Sequence, residues 1–345
     1  MKPQVFALLL CASLPLAAHS QSLENCRRIA EPTDRLTCYD ALTTTETPAP
    51  PATVAAAARS AEAPTTADLK EPAAGESLLG TAWELDPDKR GHILRIRPYK
   101  PVYILPGFHT SRTNPFPASP SAGHTSTTDT EQASDEAKLQ ISLKTKLVED
   151  LFGNNGDLWF GYTQSSRWQV YSAGTSRPFR ETNHEPEVML VWRTDYTLGG
   201  WRARYLSLGF NHQSNGRSLP LSRSWNRVIA GIALEKGDWT ATFRPWWRIS
   251  EAGERDDNPD ISNYLGRADL QIVRIWGKQQ LSLLLRHSLQ GGGNSHGALQ
   301  LDYAFPLSGS LRGHLQWFSG YGESMIDYNH RANYYGVGVS LLEWY

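Results

Sequence analysis

The chain has 345 residues and a formal net charge of −1, which leaves no basic field for nucleic acid. Only 40% of it is hydrophobic, and beyond the N-terminus no run of ~18 apolar residues offers a spanning helix. Yet it carries 12 Trp, 14 Tyr and 28 Gly, a mixture suited to aromatic girdles at a membrane interface and to tight turns.

In chain order, Met1-Lys2 gives a weakly basic start, and Val5 to Ala18 is almost wholly apolar. Ala18-His19-Ser20 offers small residues for signal peptidase, so residues 1–20 are expected to be a signal peptide that removes Cys11. Cys26 and Cys38 remain. An even count in an exported chain predicts a disulfide, which ties residues 21–42 into a small segment expected in the periplasm. Residues 43–78 are rich in Ala, Pro and Thr, as in Pro48-Ala49-Pro50-Pro51. Such a stretch buries too little surface to offset its ordering entropy and reads as a disordered linker. A single domain is expected over 79–345.

That domain shows no helical period. Stretches alternating apolar and polar lie near 95–105, 138–147, 157–168, 188–197, 201–214, 225–235, 238–249, 263–275, 280–289, 297–305, 311–319 and 333–345. Transmembrane strands need about 9–11 residues, and bacterial barrels take an even number, so the reading is all-β: a twelve-stranded antiparallel transmembrane β-barrel. Short turns at Leu198-Gly199-Gly200, Glu235-Lys236-Gly237, Gly277-Lys278-Gln279 and Leu307-Ser308-Gly309 alternate with long connections at 107–137, 169–187, 215–224, 250–262, 290–296 and 320–332. Outer-membrane barrels keep short turns in the periplasm and long loops outside, which sets the orientation. The aromatic end at Tyr345, after alternation from Tyr335 to Leu341, suits a closing strand. A soluble sandwich would need none of these features.

Chemistry concentrates in two segments, Phe210-Asn211-His212-Gln213-Ser214-Asn215-Gly216-Arg217 and Ser222-Arg223-Ser224-Trp225-Asn226-Arg227. Residues i and i+2 of a strand share a face, so His212 and Ser214 line up with Leu206, Leu208 and Phe210, the lipid side. Asn226 lines up with Val228, Ala230, Ile232 and Leu234. Unpaired polar groups facing hydrocarbon cost roughly 2–7 kcal/mol each. Across the hairpin they can satisfy one another as a triad: Ser214 nucleophile, His212 base, Asn226 orienting the imidazole. Asn rather than Asp spares an ionised carboxylate beside lipid. Otherwise these are ordinary polar residues of a hairpin above the membrane edge. Asp256, Asp257 and Asp260 lack the Gly and closing Glu of a calcium loop and read as Asx-turns. No G-x-S-x-G elbow occurs, against a soluble lipase fold.

These segments, with Pro178-Phe179-Arg180-Glu181-Thr182-Asn183, Asp256-Asp257-Asn258-Pro259-Asp260-Ile261 and Ser319-Gly320-Tyr321-Gly322-Glu323-Ser324-Met325-Ile326-Asp327-Tyr328-Asn329, resemble the outer-membrane phospholipase A family over about residues 138–345. The resemblance implies a calcium-dependent hydrolase of sn-1 and sn-2 acyl esters of phospholipids and lysophospholipids, active as a reversible homodimer in the bacterial outer membrane. It puts His212, Ser214 and Asn226 in the catalytic positions and the Gly216 N–H in the oxyanion position. It implies Ca2+ held by the Arg217 carbonyl and Ser222 of one subunit and Ser176 of the other, and places Gln164 at the dimer interface. Without it, Gln164 reads as a lumen residue. Leu219 stands where some members have a ligating Asp, so a second calcium position is not expected. A passive outer-membrane channel or a structural barrel is the alternative, although twelve strands leave little room once side chains fill the lumen.

Overall fold

The computed structural model describes residues 25–43 and 76–345; the expected signal peptide and most of the expected linker lie outside the described residues. In the N-terminal unit, Pro32 opens a helix over Pro32–Thr43, where its missing N–H and fixed φ are tolerated. Asp34 in the first turn favours the positive end of the helix dipole. Cys38 on this helix is bonded to Cys26, with Cα atoms 5.6 Å apart. Among the described residues, no helix is long and apolar enough to cross a membrane.

The remaining chain forms strands β1 (Ile96–Pro98), β2 (Val102–Thr110), β3 (Asp135–Val148), β4 (Asp157–Trp168), β5 (Phe179–Leu198), β6 (Trp201–Ser214), β7 (Ser224–Lys236), β8 (Trp239–Ile249), β9 (Ala268–Trp276), β10 (Gln279–His287), β11 (Gly297–Ser308), β12 (Leu311–Tyr321) and β13 (Arg331–Leu342). β1 is a short addition to β3. The other twelve pair antiparallel in sequence order, and β13 pairs back with β2, closing a barrel with no free edge.

Four corrections to the predicted strands have local causes. Pro98 and Pro101 remove ladder donors, so the stretch 95–105 divides into β1 and a β2 that runs on to Thr110 through a bulge between Leu105 and Phe108. β5 starts at Phe179 inside the expected loop; its first half pairs with β4 although it carries Glu181, Asn183, Glu185 and Glu187. Residues 261–264 form a helical turn before β9. The last strand stops at Leu342, and Tyr345 packs inward against the cluster containing Leu79 and Trp83.

The short turns fall as expected. Gly199 and Gly200, at φ +58° and +80°, make a two-residue turn between the paired residues Leu198 and Trp201, a conformation that only glycine adopts freely. Leu206, Leu208, Phe210, Phe243, Trp247, Leu315 and Val337 are exposed on the outer face. The inner face is charged and paired. Arg244 meets Asp269 at 2.6 Å, Lys100 meets Glu185 at 2.9 Å, and His314 lies between Asp302 and Glu343.

Both ends of the lumen are closed. At the short-turn end Ser77 caps the helix Leu78–Ala82 through the Gly80 N–H and also donates to Glu235. Trp83 then enters among Tyr99, Trp159 and Tyr205, with the Lys144 ammonium 3.3 Å from its ring centre. Glu84 behind it pairs with Arg97 and Lys146. At the long-loop end residues 322–330 fold inward: Asn183 accepts from the Met325 N–H, Glu181 from the Ile326 N–H, and Asp260 from the Tyr328 hydroxyl at 2.6 Å. The three segments that carried the family resemblance alongside the hairpin thus meet as one cap.

Candidate active site

The site stands where β6 and β7 emerge from the long-loop end. Register pairs His212 with Asn226 and Ser214 with Ser224. The strand parity read from sequence holds: Leu206, Leu208 and Phe210 are half-exposed on the same outward face as His212 and Ser214, whereas Tyr205 and Asn211 are buried inward. The His212 Nδ1 lies 2.9 Å from the Asn226 Oδ1. With Nδ1–H donating, Nε2 is left as the basic nitrogen. Ser214 lies one same-face step further along β6, half-buried, and its hydroxyl has no hydrogen-bond partner among the described residues.

Asn215 and Arg223, which sequence reasoning passed over, build the loop above this hairpin. The buried Asn215 amide accepts from the Arg217 and Arg223 N–H groups at 3.2 and 3.0 Å and donates to the Leu221 carbonyl at 2.8 Å. Its side chain so ties both ends of the loop together. The following Gly216 has φ +60°, and its N–H has no acceptor among the described residues. A side chain there would be strained even though nothing lies within 4 Å of a Cβ. Arg223 is fully buried and donates to the carbonyls of Pro220, Ser222 and His124. Burial lowers its pKa, against the opposing pull of Tyr328, Glu181 and Asp257.

Arg217 and Ser222 belong to this one loop; Ser176 lies in another, 169–178, exposed and in the left-handed region at φ 60°. Within one chain Asn215 ties Arg217 to Leu221 and Arg223, the neighbours of Ser222, and Ser176 lies in a different loop. The Ser222 hydroxyl donates to Asp257 at 2.7 Å, and Ser224 donates to the same oxygen at 3.2 Å. The other oxygen faces His124 Nε2 at 3.0 Å. Asp256 does cap the Asn258 N–H in an Asx-turn, but the Asp257 carboxylate is shared by three residues of two other segments. Spacing gave no sign of that, because its partners lie in distant loops. Gln164 faces outward, with Phe160 and Tyr162, which overturns the lumen reading open without the resemblance; its side chain accepts from Tyr162, whose hydroxyl lies 2.7 Å from His184 Nδ1. His184 in turn is the β5 register partner of Ser214. One further residue was missed: Glu251 accepts from the Asn226 Nδ2 at 2.9 Å.

Residues 79–341 match the phospholipase A1 family. The chain belongs to that family. A putative phospholipase A1 of Neisseria meningitidis serogroup B is 36% identical over 97% of this chain and 94% of its own length. The phospholipase A1 of Escherichia coli K12 is 42% identical over 60% of this chain and 70% of its own length. Among solved structures, outer membrane phospholipase A from E. coli superimposes with a TM-score of 0.67 at 34% identity, covering 77% of this chain and 99% of that one. The Salmonella typhi outer membrane phospholipase, crystallised as a dimer with bound calcium, gives 0.67 at 35% identity over 78% and 98%. This family member is therefore an outer-membrane phospholipase built on a twelve-stranded barrel.

Proposed function

We propose that this phospholipase A1 hydrolyses the sn-1 and sn-2 acyl esters of phospholipids and lysophospholipids on the outer wall of its barrel, through Ser214, His212 and Asn226. The observation that carries the reading is the 2.9 Å His212–Asn226 hydrogen bond on an outward face, with Ser214 beside it. Ser214 Oγ attacks the ester carbonyl as His212 Nε2 takes its proton. The Gly216 N–H, without an acceptor among the described residues, receives the oxyanion. His212 returns the proton to the departing glycerol oxygen, and water then cleaves the acyl-serine by the same route. Asn226 holds the ring throughout.

Calcium fits the donors present. The Arg217 carbonyl and Ser222 hydroxyl of one subunit, with Ser176 of a second, are oxygen ligands suited to a hard cation, and the carboxylate of Asp257 already touches Ser222. Bound there, the ion would add positive charge beside the oxyanion. Leu219, 61% exposed, has no ligating atom to contribute. The outward Gln164 and the apolar wall around it suit a homodimer contact in the outer membrane. Residues 1–20 direct export and 21–42 remain periplasmic on the 43–78 tether. That fits Ser77 entering the barrel beside Glu235, near a short turn. A passive channel is disfavoured by the Trp83 plug and the 322–330 cap. The test is phospholipid hydrolysis by the refolded protein with and without calcium, beside folded Ser214→Ala. Wild-type turnover in that variant refutes the assignment.

A further inference from the structure

We propose that Glu251 is a positioning residue of the catalytic assembly, one that fixes the Asn226 amide and through it the tautomer of His212; the inference rests on the Ser-His-Asn reading above. An asparagine amide has two ends of nearly equal shape and opposite hydrogen-bonding sense. With Oδ1 toward His212, the ring donates from Nδ1–H and Nε2 is free to take the serine proton. With Nδ2 toward His212, Nδ1 must accept, Nε2 carries the proton, and no base faces Ser214. An ionised carboxylate only accepts. Glu251 Oε1, 2.9 Å from Asn226 Nδ2, therefore permits the productive orientation and sets oxygen against oxygen in the other.

The strand pattern explains how Glu251 arrives there. Asn226 pairs with Ile249, which is exposed on the outer face of β8. Two residues further on, Glu251 keeps that face just beyond the end of the strand, on the long-loop side. A neutral amide thus occupies the position nearer the apolar wall, and the charge stands one step further out. The other titratable groups close by are engaged elsewhere: His184 on β5 with Tyr162, Arg248 on β8 with Asp256, and Asp257 with Ser222, Ser224 and His124.

The experiment compares Glu251→Ala, Glu251→Gln, Asn226→Ala and the Asn226→Ala/Glu251→Ala pair in the full-length protein. Each is read by kcat and KM on a phospholipid analogue and by the rate of inactivation by a sulfonyl fluoride, which needs Ser214 and His212 but no lipid. Glu251→Ala is expected to lower kcat/KM and sulfonylation about 10-fold with little change in KM. Glu251→Gln recovers part of the rate through its remaining acceptor. In the Asn226→Ala background, Glu251→Ala adds nothing. An unchanged rate in Glu251→Ala overturns the proposal, as does an equal loss in both backgrounds. Activity surviving in Ser214→Ala overturns the triad and the proposal with it; a dead Ser214→Ala beside an unaltered Glu251→Ala overturns the proposal alone.

Discussion

Replacing Trp83 by Ala tests whether the closed lumen is held by the plug as the packing implies. The indole is 7% exposed and meets Tyr99, Trp159 and Tyr205 with ring centres 5.8, 5.6 and 5.1 Å away, while the Lys144 ammonium lies 3.3 Å from its centre. Truncating a buried aromatic of this size costs about 3–5 kcal/mol. The loss should fall in the upper part of that range, because three rings and the Lys144 Nζ lose their packing on the indole at once. None of it reaches the strand ladder, which makes its hydrogen bonds without Trp83. Urea unfolding in lipid vesicles, followed by the gel mobility of the folded barrel, should show a stability lower by about 4 kcal/mol. Hydrogen exchange should accelerate over 77–91 while the strands stay protected. The Glu84 and Asp86 ion pairs still tether the segment, so the barrel should assemble. A loss under about 1 kcal/mol with unchanged exchange would show that the ring fills space without holding the plug.

The remaining predictions concern catalysis, calcium and acid. Ser214→Ala should lower turnover by about 10³ or more, and His212→Ala by nearly as much, whereas Asn226→Ala removes one hydrogen bond and leaves measurable activity. The reverse order in steady-state assays would mean that Asn226 has been given the wrong role. Chelation should abolish hydrolysis and shift detergent-solubilised protein toward monomer, and Ser176→Ala should weaken both responses, because an ion that binds only the dimer stabilises it by mass action. Full activity from a calcium-free monomer in sedimentation experiments would end that model. Glu323 is buried, which opposes its ionisation, but Arg167 and Lys138 outweigh this and hold its carboxyl at about 2. A depressed folded-state pKa contributes stability above the usual value of 4.5 that is lost as pH falls toward 2. Acid unfolding of wild type should therefore steepen across that window, and Glu323→Gln should flatten it.

The wall of the barrel was legible in the sequence because lipid imposes a strict alternation. Leu206, Leu208 and Phe210 face out, Tyr205 and Asn211 face in, and that parity alone put His212 and Ser214 on the same side. It misled where the alternation carries no apolar partner. The first half of β5 sets Glu181, Asn183 and Glu187 inward, where Arg167, the 322–330 segment and Asn211 take them up, and such a polar run has no signature distinct from a loop. The plug was invisible for a related reason. A short helix leading into Trp83 acquires its meaning only from rings on β4, β6 and the β1–β2 connection, and the composition change near residue 79 marks a boundary without saying that the chain turns into the barrel.

At the site, legibility stopped at the end of each strand. His212, Ser214 and Asn226 sit inside strands, so their spacing and parity carried geometric information that survives folding. Asp257 and Glu251 sit in a loop, where neither period nor register constrains direction, and each is defined by a partner on another segment. The parity argument nonetheless extends one step further than it was taken. Phe243, Trp247 and Ile249 face outward, and the next position of that face is Glu251. The physical reason for Asn in place of Asp at 226, the cost of a charge against hydrocarbon, applies to the position and not to the assembly. An amide can stand at the apolar edge and still answer to a carboxylate, provided the carboxylate lies on the water side of it. In this chain the imidazole and the amide face each other across β6 and β7, and the carboxylate stands one step further toward the loops.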